Sequence, residues 1–499
     1  MKIRTIAAIA ISQCLCTIIS AQKLADANWV GGFEEYPHVA GYANYIIRFQ
    51  PSGVMVDTLD FGVKIESTVA SISDSSGQLL FFSNGCVLAD ANGQILDNGE
   101  GINPGPMHDW VCDKTGYILQ KGAMILPMPG SPNLFYLLHL GAEYIKPTVL
   151  NLGPFYYTII DETSKSVVSK NNILLNGKLE AFSVVRHGNG RDWWILVPEW
   201  GTDKIQTFLF EAGGISAHNV QATSISMNGK RLGATTFSLD GSRYARFHAD
   251  QGVFIADFDR CSGLLENFKF FPTPFPLLLG GGVAFSPNSQ KIYAASQSAF
   301  YEIDLVSTLP AWDTLFYLYD NYTWGTTLHQ MQYGPDSKIY LNTHSRADYL
   351  NALTFSGTGA IPSFQFKSLP LRVKNARSLP HFPNFRLFDL PNSPCDTLGI
   401  NTPVSASEPI EKEPMGLTLY PNPATNQVSL AFDPSWTSSG EVQYQIFNAF
   451  GSRLRTGEVP KGADSQQVGL NGLPSGVYFF QVTQMGKTLG TATLVISQR

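Results

Sequence analysis

Along most of the chain, apolar and polar residues alternate in short runs broken by clusters of Gly, Pro, Asn, Asp and Ser. A period of two in segments rich in Phe, Tyr, Val and Ile predicts short antiparallel strands joined by tight turns. One pattern recurs. FSLDGSRYARF (Phe237 to Phe247) is echoed by FSPNSQKIYAAS (Phe285 to Ser296) and by YGPDSKIYLN (Tyr333 to Asn342), each an apolar strand, a polar turn and a strand with an early Tyr. The turn residues Asp240, Asn288 and Asp336 are 48 positions apart, and a further 48 lands on Asn384 within LPHFPNFRLF. Looser copies are ASISDSSGQLLFF around Gly77, AMILPMPGSPNLFYLL around Ser131 and FSVVRHGNGRDWWIL around Asn189, making seven units between Glu66 and Phe388. A third strand follows in several, as in GVFIADFDR (Gly252 to Arg260) and AFYEIDL (Ala299 to Leu305). Such units, recurring every fifty residues or so, predict blades of a propeller, because so small a sheet buries its faces only against its neighbours.

The last unit, beginning at Ala376, runs out of chain near Leu390, before it can supply outer strands. Asn44 to Phe61 holds strands with no first strand of their own. The expectation is a seven-bladed β-propeller closed by pairing of these two segments, which leaves no long exposed edge.

The first 21 residues have the layout of a signal peptide: Lys2 and Arg4, an apolar core from Ile6 to Ile19, and Ser20-Ala21 as the cleavage site. That core is shorter than the roughly 18 residues a spanning helix needs, and no later stretch is apolar enough to cross a bilayer. Cys14 and Cys16 lack the preceding small residues of a lipid-modified cysteine. Losing Lys2 and Arg4 takes the formal charge from −6 to −8, which offers no electrostatic footprint for nucleic acid.

From Pro391 to Met415 the chain is rich in Pro, Ser, Thr and Glu and reads as an extended linker. Beyond it, alternating segments with Gly and Pro turns predict a small C-terminal antiparallel β-sandwich, so the organisation expected is signal peptide 1–21, propeller 22–390, linker 391–415 and sandwich 416–499. The fold class is all-β. Four cysteines remain after cleavage, Cys86, Cys112, Cys261 and Cys395, and permit three pairings. Among the pairings, proximity in sequence favours Cys86 with Cys112; the alternative is that the thiols stay buried and unpaired.

GQLLFFSNG, AMILPMPGSPNLFYLL, HGNGRDWWILV, FSPNSQKIY, MQYGPDSKIYL and SLPHFPNF resemble segments of a group of large secreted propeller-like proteins of Bacteroidota, over most of residues 28 to 390. The resemblance implies architecture and destination rather than chemistry. The tail closely resembles the C-terminal sorting domain of the type IX secretion system, in its type A form. It is carried by Tyr420-Pro421-Asn422-Pro423, Phe447 to Gly451, Leu473 to Tyr478 with Gly476 in its turn, and the final strand from Lys487 to Ile496. It implies the type IX machinery as partner and export to the medium or the outer surface. Removal of the tail, with release or attachment to lipopolysaccharide, would follow.

No HExxH, GxSxG, phosphate-loop or CxxC pattern occurs, and neither cofactor nor metal is expected. Leu88 to Gly93 is spaced like a calcium loop, but Leu88 occupies the first ligand position, so the segment reads as a turn. The candidate site follows from the repeat. Glu66, Lys121, Glu180, Arg231, His329 and Arg377 precede or begin successive inner strands and are expected to ring one mouth of the channel. The ligand expected is polar: a glycan, a peptide or another surface protein. The rival function is a glycan-active enzyme with Glu66 and Glu180 as its carboxylate pair. The plain reading is that exposed strand ends tolerate charge. His187 reads as structural, and Trp193, Trp194 and Trp200 as core between blades.

Overall fold

The computed structural model describes residues 24–497 except 34–40, 42, 147–148, 230–232, 274–280, 297–298, 308–311, 318–327, 345, 357–360, 376, 399, 401–416, 433–435, 438–440, 449–452, 464 and 485–486. The signal segment, Arg231, Ala376 and most of the linker therefore lie outside the described residues. The chain divides into two compact units, Met1–Thr402 and Pro403–Arg499.

The first unit holds seven antiparallel sheets in chain order. Blade 1 comprises Asn28–Gly32, Asn44–Gln50 and Gly53–Leu59, and blade 2 comprises Ala70–Ser73, Leu79–Ser83 and Leu88–Asp90. Blades 3 to 7 have four strands each, starting from inner strands Ala123–Pro127, Ser183–Arg186, Ala234–Phe237, Val283–Phe285 and Leu328–Tyr333. Inner strands are buried almost throughout, whereas outer ones such as Gly214–Ala222 are largely exposed. Aromatic side chains lock neighbouring blades: Phe81 meets Phe135 at 5.7 Å, Phe155 meets Phe182 at 4.8 Å and Tyr293 meets Phe355 at 5.9 Å. This supplies the burial that one small sheet lacks.

Four of the turns share one device. The side-chain oxygen of the Asp or Asn accepts the backbone N–H two residues on: Asp74 from Ser76, Asn189 from Arg191, Asp240 from Ser242 and Asn288 from Gln290. Such Asx turns reverse the chain without help from distant residues. Asn384 keeps the device, accepting from Arg386 at 3.0 Å. Yet the seventh unit is not a hairpin: Ser378 to Phe385 form no strand. Pro380 and Pro383 lack the N–H that a ladder requires.

Ring closure therefore differs from the pairing expected of Asn44–Phe61 with Ala376–Phe385. The segment from Ser378 to Arg386 runs antiparallel along Asn28–Gly32, a strand the sequence reading missed, and side chains hold it there. The Ser378 hydroxyl donates to Gly32 O at 3.0 Å and accepts from Gly32 N at 3.1 Å. Phe382 stacks on Trp29 with ring centroids 6.0 Å apart, and Arg386 grips Asp26 through both carboxylate oxygens at 2.7 and 2.8 Å. The same segment reaches across the axis. His381 packs on Phe182, Asn384 donates to Leu239 O, and Phe385 meets Trp193 edge-on. It fills the channel rather than lining it.

Two disulfides are present among the described residues. Cys86–Cys112 matches the favoured pairing, and Cys261–Cys395 fastens the end of the central segment to the loop between the last two strands of blade 5. The opening residues of the expected linker are thus tied to the propeller. A link spanning 134 residues removes much chain entropy from the unfolded state. Replacing both Cys261 and Cys395 by Ser should therefore lower the unfolding free energy by about 2–5 kcal/mol. Denaturant titration checks this; a loss below about 1 kcal/mol would mean that the segment is held without the link.

The second unit is a sandwich of two antiparallel sheets. One is Thr418–Tyr420, Gln427–Ala431 and Ser465–Gly469; the other is Arg453–Val459, Val442–Asn448, Gly476–Gln484 and Lys487–Ile496. Val428, Leu430 and Val468 share a core with Ile446, Phe480 and Leu494. Asn422 stitches the opening motif to the final strand, donating to Thr493 O at 2.7 Å and accepting from Val495 N at 2.8 Å. Tyr478 is buried and donates to Pro474 O, whereas Tyr420 is half exposed.

Candidate functional site

Four of the six sequence-predicted residues meet at the face where the inner strands begin. Lys121 precedes the inner strand of blade 3, His329 lies on that of blade 7, Glu66 precedes that of blade 2, and Arg377 follows the outermost strand of blade 7, Ile361–Asn375. Lys121 and Arg377 have φ of +50° and +71°, a left-handed backbone that non-glycine residues hold only where the surroundings enforce it.

Lys121 is 6% exposed, and its ammonium donates to Met331 O at 2.6 Å across the channel. No other acceptor is described for its remaining two hydrogens. Burial lowers its pKa to about 8. His329 is buried, stacks on His344 with centroids 5.0 Å apart, and has no partner for Nδ1 among the described residues. Burial, then His344, Arg377 and Lys121, push its pKa down to about 3, so the ring is neutral. His381 is likewise buried with Nδ1 unpartnered, and burial followed by Lys121 holds its pKa well below the ordinary range. Arg377 donates to Glu66 Oε1 at 2.9 Å, while Glu66 Oε2 accepts from Thr115 at 3.1 Å.

A cavity of about 170 Å³ reaches Lys121 and His381 of this cluster, whereas Glu66, His329 and Arg377 do not line it. It runs along the central segment from Lys121 and His381, past Ser183 and Gln332, to Asp26 and Arg386.

Glu180 does not join the cluster. It is 2% exposed and its carboxylate is clamped by both Arg246 and His248: Nε of Arg246 donates to Oε2 at 2.7 Å, Nη2 donates to Oε1, and Nε2 of His248 donates to Oε2 at 2.8 Å. Burial pushes its pKa upward, but His248 and Arg246 outweigh burial and leave it below the usual value. Glu66 and Glu180 thus serve different cations instead of facing each other as the expected carboxylate pair. The expected exposure of strand ends also fails at Lys121, Glu180 and His329. Burial here comes from the central segment and blade packing, neither of which has a local sequence signature.

Among the aromatic residues, Trp193 and Trp194 are core, and His187 stacks on Trp194 while its Nδ1 accepts from Asn189 N. Trp200 is not core: it is 40% exposed, with Lys178 over its ring. Asp90 caps its own turn by accepting from Asn92 N and Gln94 N. No group of three metal-ligating side chains occurs among the described residues. Sequence reasoning missed His344 and His381, the latter because SLPHFPNF was read as a strand. It also missed Trp110 and Tyr144, which are 53% and 45% exposed and meet edge to face at 5.8 Å. Trp110 lies on the helix Pro106–Val111, pinned to blade 2 by Cys86–Cys112.

Residues 418–497 match the family described as the secretion system C-terminal sorting domain. No curated protein matches the chain in sequence. Among solved structures, a candidate 6-phosphogluconolactonase from Bacteroides uniformis is 11% identical with a TM-score of 0.43, covering 69% of this chain and 97% of its own. Apo AztD from Citrobacter koseri is 11% identical with a TM-score of 0.35, covering 70% and 90%. The Dos1 propeller is 12% identical with a TM-score of 0.36, covering 63% and 87%. The tail match makes the chain a type IX export substrate, destined for secretion or the cell surface, and its own sheets form the propeller it carries. No described helix is long and apolar enough to cross a membrane.

Proposed function

We propose that this type IX-exported propeller is a binding module that captures a polar ligand at the channel mouth. The observation that carries the reading is the convergence of Lys121, His329, Arg377 and His381, with buried nitrogens left without partners among the described residues and a cavity that reaches Lys121 and His381. Burying an ammonium on one carbonyl costs free energy, and such costs concentrate at functional sites. The same geometry supports binding over catalysis. Glu180, which the enzyme reading needs, is buried, held ionised against Arg246 and the His248 ring, and has no proton to give.

Lys121→Met separates the two roles of this lysine. Below about pH 8 the folded chain must carry a buried charge, and that penalty fades as pH rises toward the ordinary lysine value of 10.5. At pH 7 the substitution should raise the unfolding free energy by about 1–3 kcal/mol. Ligands captured by the parent protein on a glycan and peptide array should be lost. Retained capture by the more stable variant would place the binding surface elsewhere.

A further inference from the structure

We infer that the cavity along the central segment holds a small free carboxylic acid with a compact apolar body, which enters from the turn face of the propeller and seats its carboxylate on Lys121 and His381. This rests on the reading above that Lys121 and His381 hold a ligand, and adds the chemical class and the route. Burial along the wall gives the route. The inner strands run from the face that carries Lys121 toward the Asx turns. The central segment runs the same way, from His381 at the Lys121 end to Asn384, which donates to Leu239 O beside the blade 5 turn. At the Lys121 end the lining is closed: Lys121, His381, Ser183 and Met331 are all buried. At the turn end Ser337 is exposed and Leu239, Pro335 and Arg386 are half-buried. The cavity is thus a blind channel, open among the turns, with Lys121 and His381 at its floor.

The ligand class follows from what the wall leaves unpaired. Gln332 donates to Phe382 O and accepts from Phe382 N, Asn384 is spent on Leu239 O, Arg386 and Asp26 hold each other, and Ser183 donates to Thr235. Between floor and entrance the wall is largely apolar, with Val184, Val185, Val283, Ala284 and Phe382. Two groups at the floor remain. Lys121 spends one N–H on Met331 O, and His381 Nδ1 is buried without a partner among the described residues. Bare buried polar groups cost free energy, which a ligand that pairs both recovers. A carboxylate brings one oxygen to each and a counter-charge to the ammonium, whereas an alcohol or an amide leaves the charge uncompensated. Phosphate and sugar carry polar groups on all sides, which an apolar wall would leave unpaired. Size sets the body. An apolar cavity of roughly 150 Å³ takes one benzene-sized molecule, and this one measures about 170 Å³.

The test uses the full chain and titration calorimetry at neutral pH with benzoate, phenylacetate and 4-methylpentanoate, beside benzamide, inorganic phosphate and a hexapeptide ending in leucine. At least one of the three acids should bind, benzamide should bind about tenfold more weakly or worse, and phosphate should not bind. Lys121→Met should weaken the acid about a hundredfold, and His381→Phe, which keeps a ring against Phe182, about tenfold. Two variants address the cavity without touching the mouth. Ala284→Leu fills its middle and Leu239→Trp, at a half-buried position, narrows its entrance. Each should abolish acid binding, with thermal unfolding confirming the fold. Equal binding of benzamide would overturn the carboxylate, and tighter binding of phosphate or peptide would overturn the small apolar acid. Acid binding indifferent to Lys121→Met would overturn the seat, and binding that survives both cavity variants would overturn the route. Failure of all three acids would overturn the inference as a whole, and array ligands still lost in Lys121→Met would then leave the mouth reading standing. Array ligands indifferent to Lys121→Met, beside acids that depend on it, would overturn capture at the mouth and keep the cavity.

Discussion

Glu180→Ala should lower the unfolding free energy by about 3–5 kcal/mol, the cost of leaving the buried Arg246 guanidinium without its counter-ion. Arg246 and His248 come from the second strand of blade 5, Arg243–His248, while Glu180 precedes the inner strand of blade 4. Arg246 and His248 therefore join two blades through one carboxylate, and Arg246 also donates to Met227 O at 3.0 Å. Removing the carboxylate leaves a guanidinium that burial forbids to hydrate. Glu180→Gln should recover part of the loss, since the amide oxygen still accepts one hydrogen bond. The pH dependence has a definite sign. The folded pKa of Glu180 is depressed, so its contribution is complete above the ordinary glutamate value of 4.5 and disappears as pH falls through the lower folded value. Denaturant midpoints of parent and Glu180→Ala should therefore converge in acid. A difference under about 1 kcal/mol at pH 7, or one independent of pH in acid, would show that the ion trio is not the fastening between blades 4 and 5.

Deleting Leu417 to Arg499 should abolish delivery to the cell surface and leave a folded propeller in the periplasm. The reason is physical independence as well as the sorting match. The buried core of the tail consists solely of its own residues, from Leu417 to Ile496. The propeller cores use none of them. Each unit can thus fold on its own apolar surface. Cell fractionation and surface labelling check the location, and thermal unfolding of the retained protein checks the fold. Normal surface delivery of the truncated chain would refute the role of the tail. Aggregation of the truncated chain would instead refute the independence of the propeller. Asn422 gives a finer probe, since it ties the Tyr420 to Pro423 motif to the last strand and Asn422→Ala breaks both bonds.

Local rules carried much of the architecture. The Asx turns at Asp74, Asn189, Asp240 and Asn288 depend on residues two apart. The sheets depend on alternation with period two, so repeat length, blade composition and the sandwich could be read before any contact was known. The same locality misled at Asn384. Its turn is intact, but two prolines upstream deny the ladder, and the segment became a side-chain-anchored core along the axis. Asn28–Gly32 went unread because NWVGG is too short and too rich in Gly to signal a strand; its glycines lie where Tyr45 and Asn44 crowd the backbone, leaving no room for a Cβ.

What the sequence alone determined was whatever depends on neighbours within a few residues: strands, turns, the repeat length, and the export signature of the tail. It also placed Glu66, Lys121, His329 and Arg377 at equivalent positions of the repeat. Only the tertiary structure decided which of these meet. Charge pairing depends on distance in space: Glu66 and Arg377 are 311 residues apart yet in contact. Glu180, equivalent by register, is instead drawn to Arg246 and His248 on the neighbouring blade. Burial of Lys121 and His329 is likewise collective, since it depends on the central segment from Ser378 to Arg386 filling the axis. A partner's distance and a group's access to water are properties of the closed ring, and no single repeat contains them.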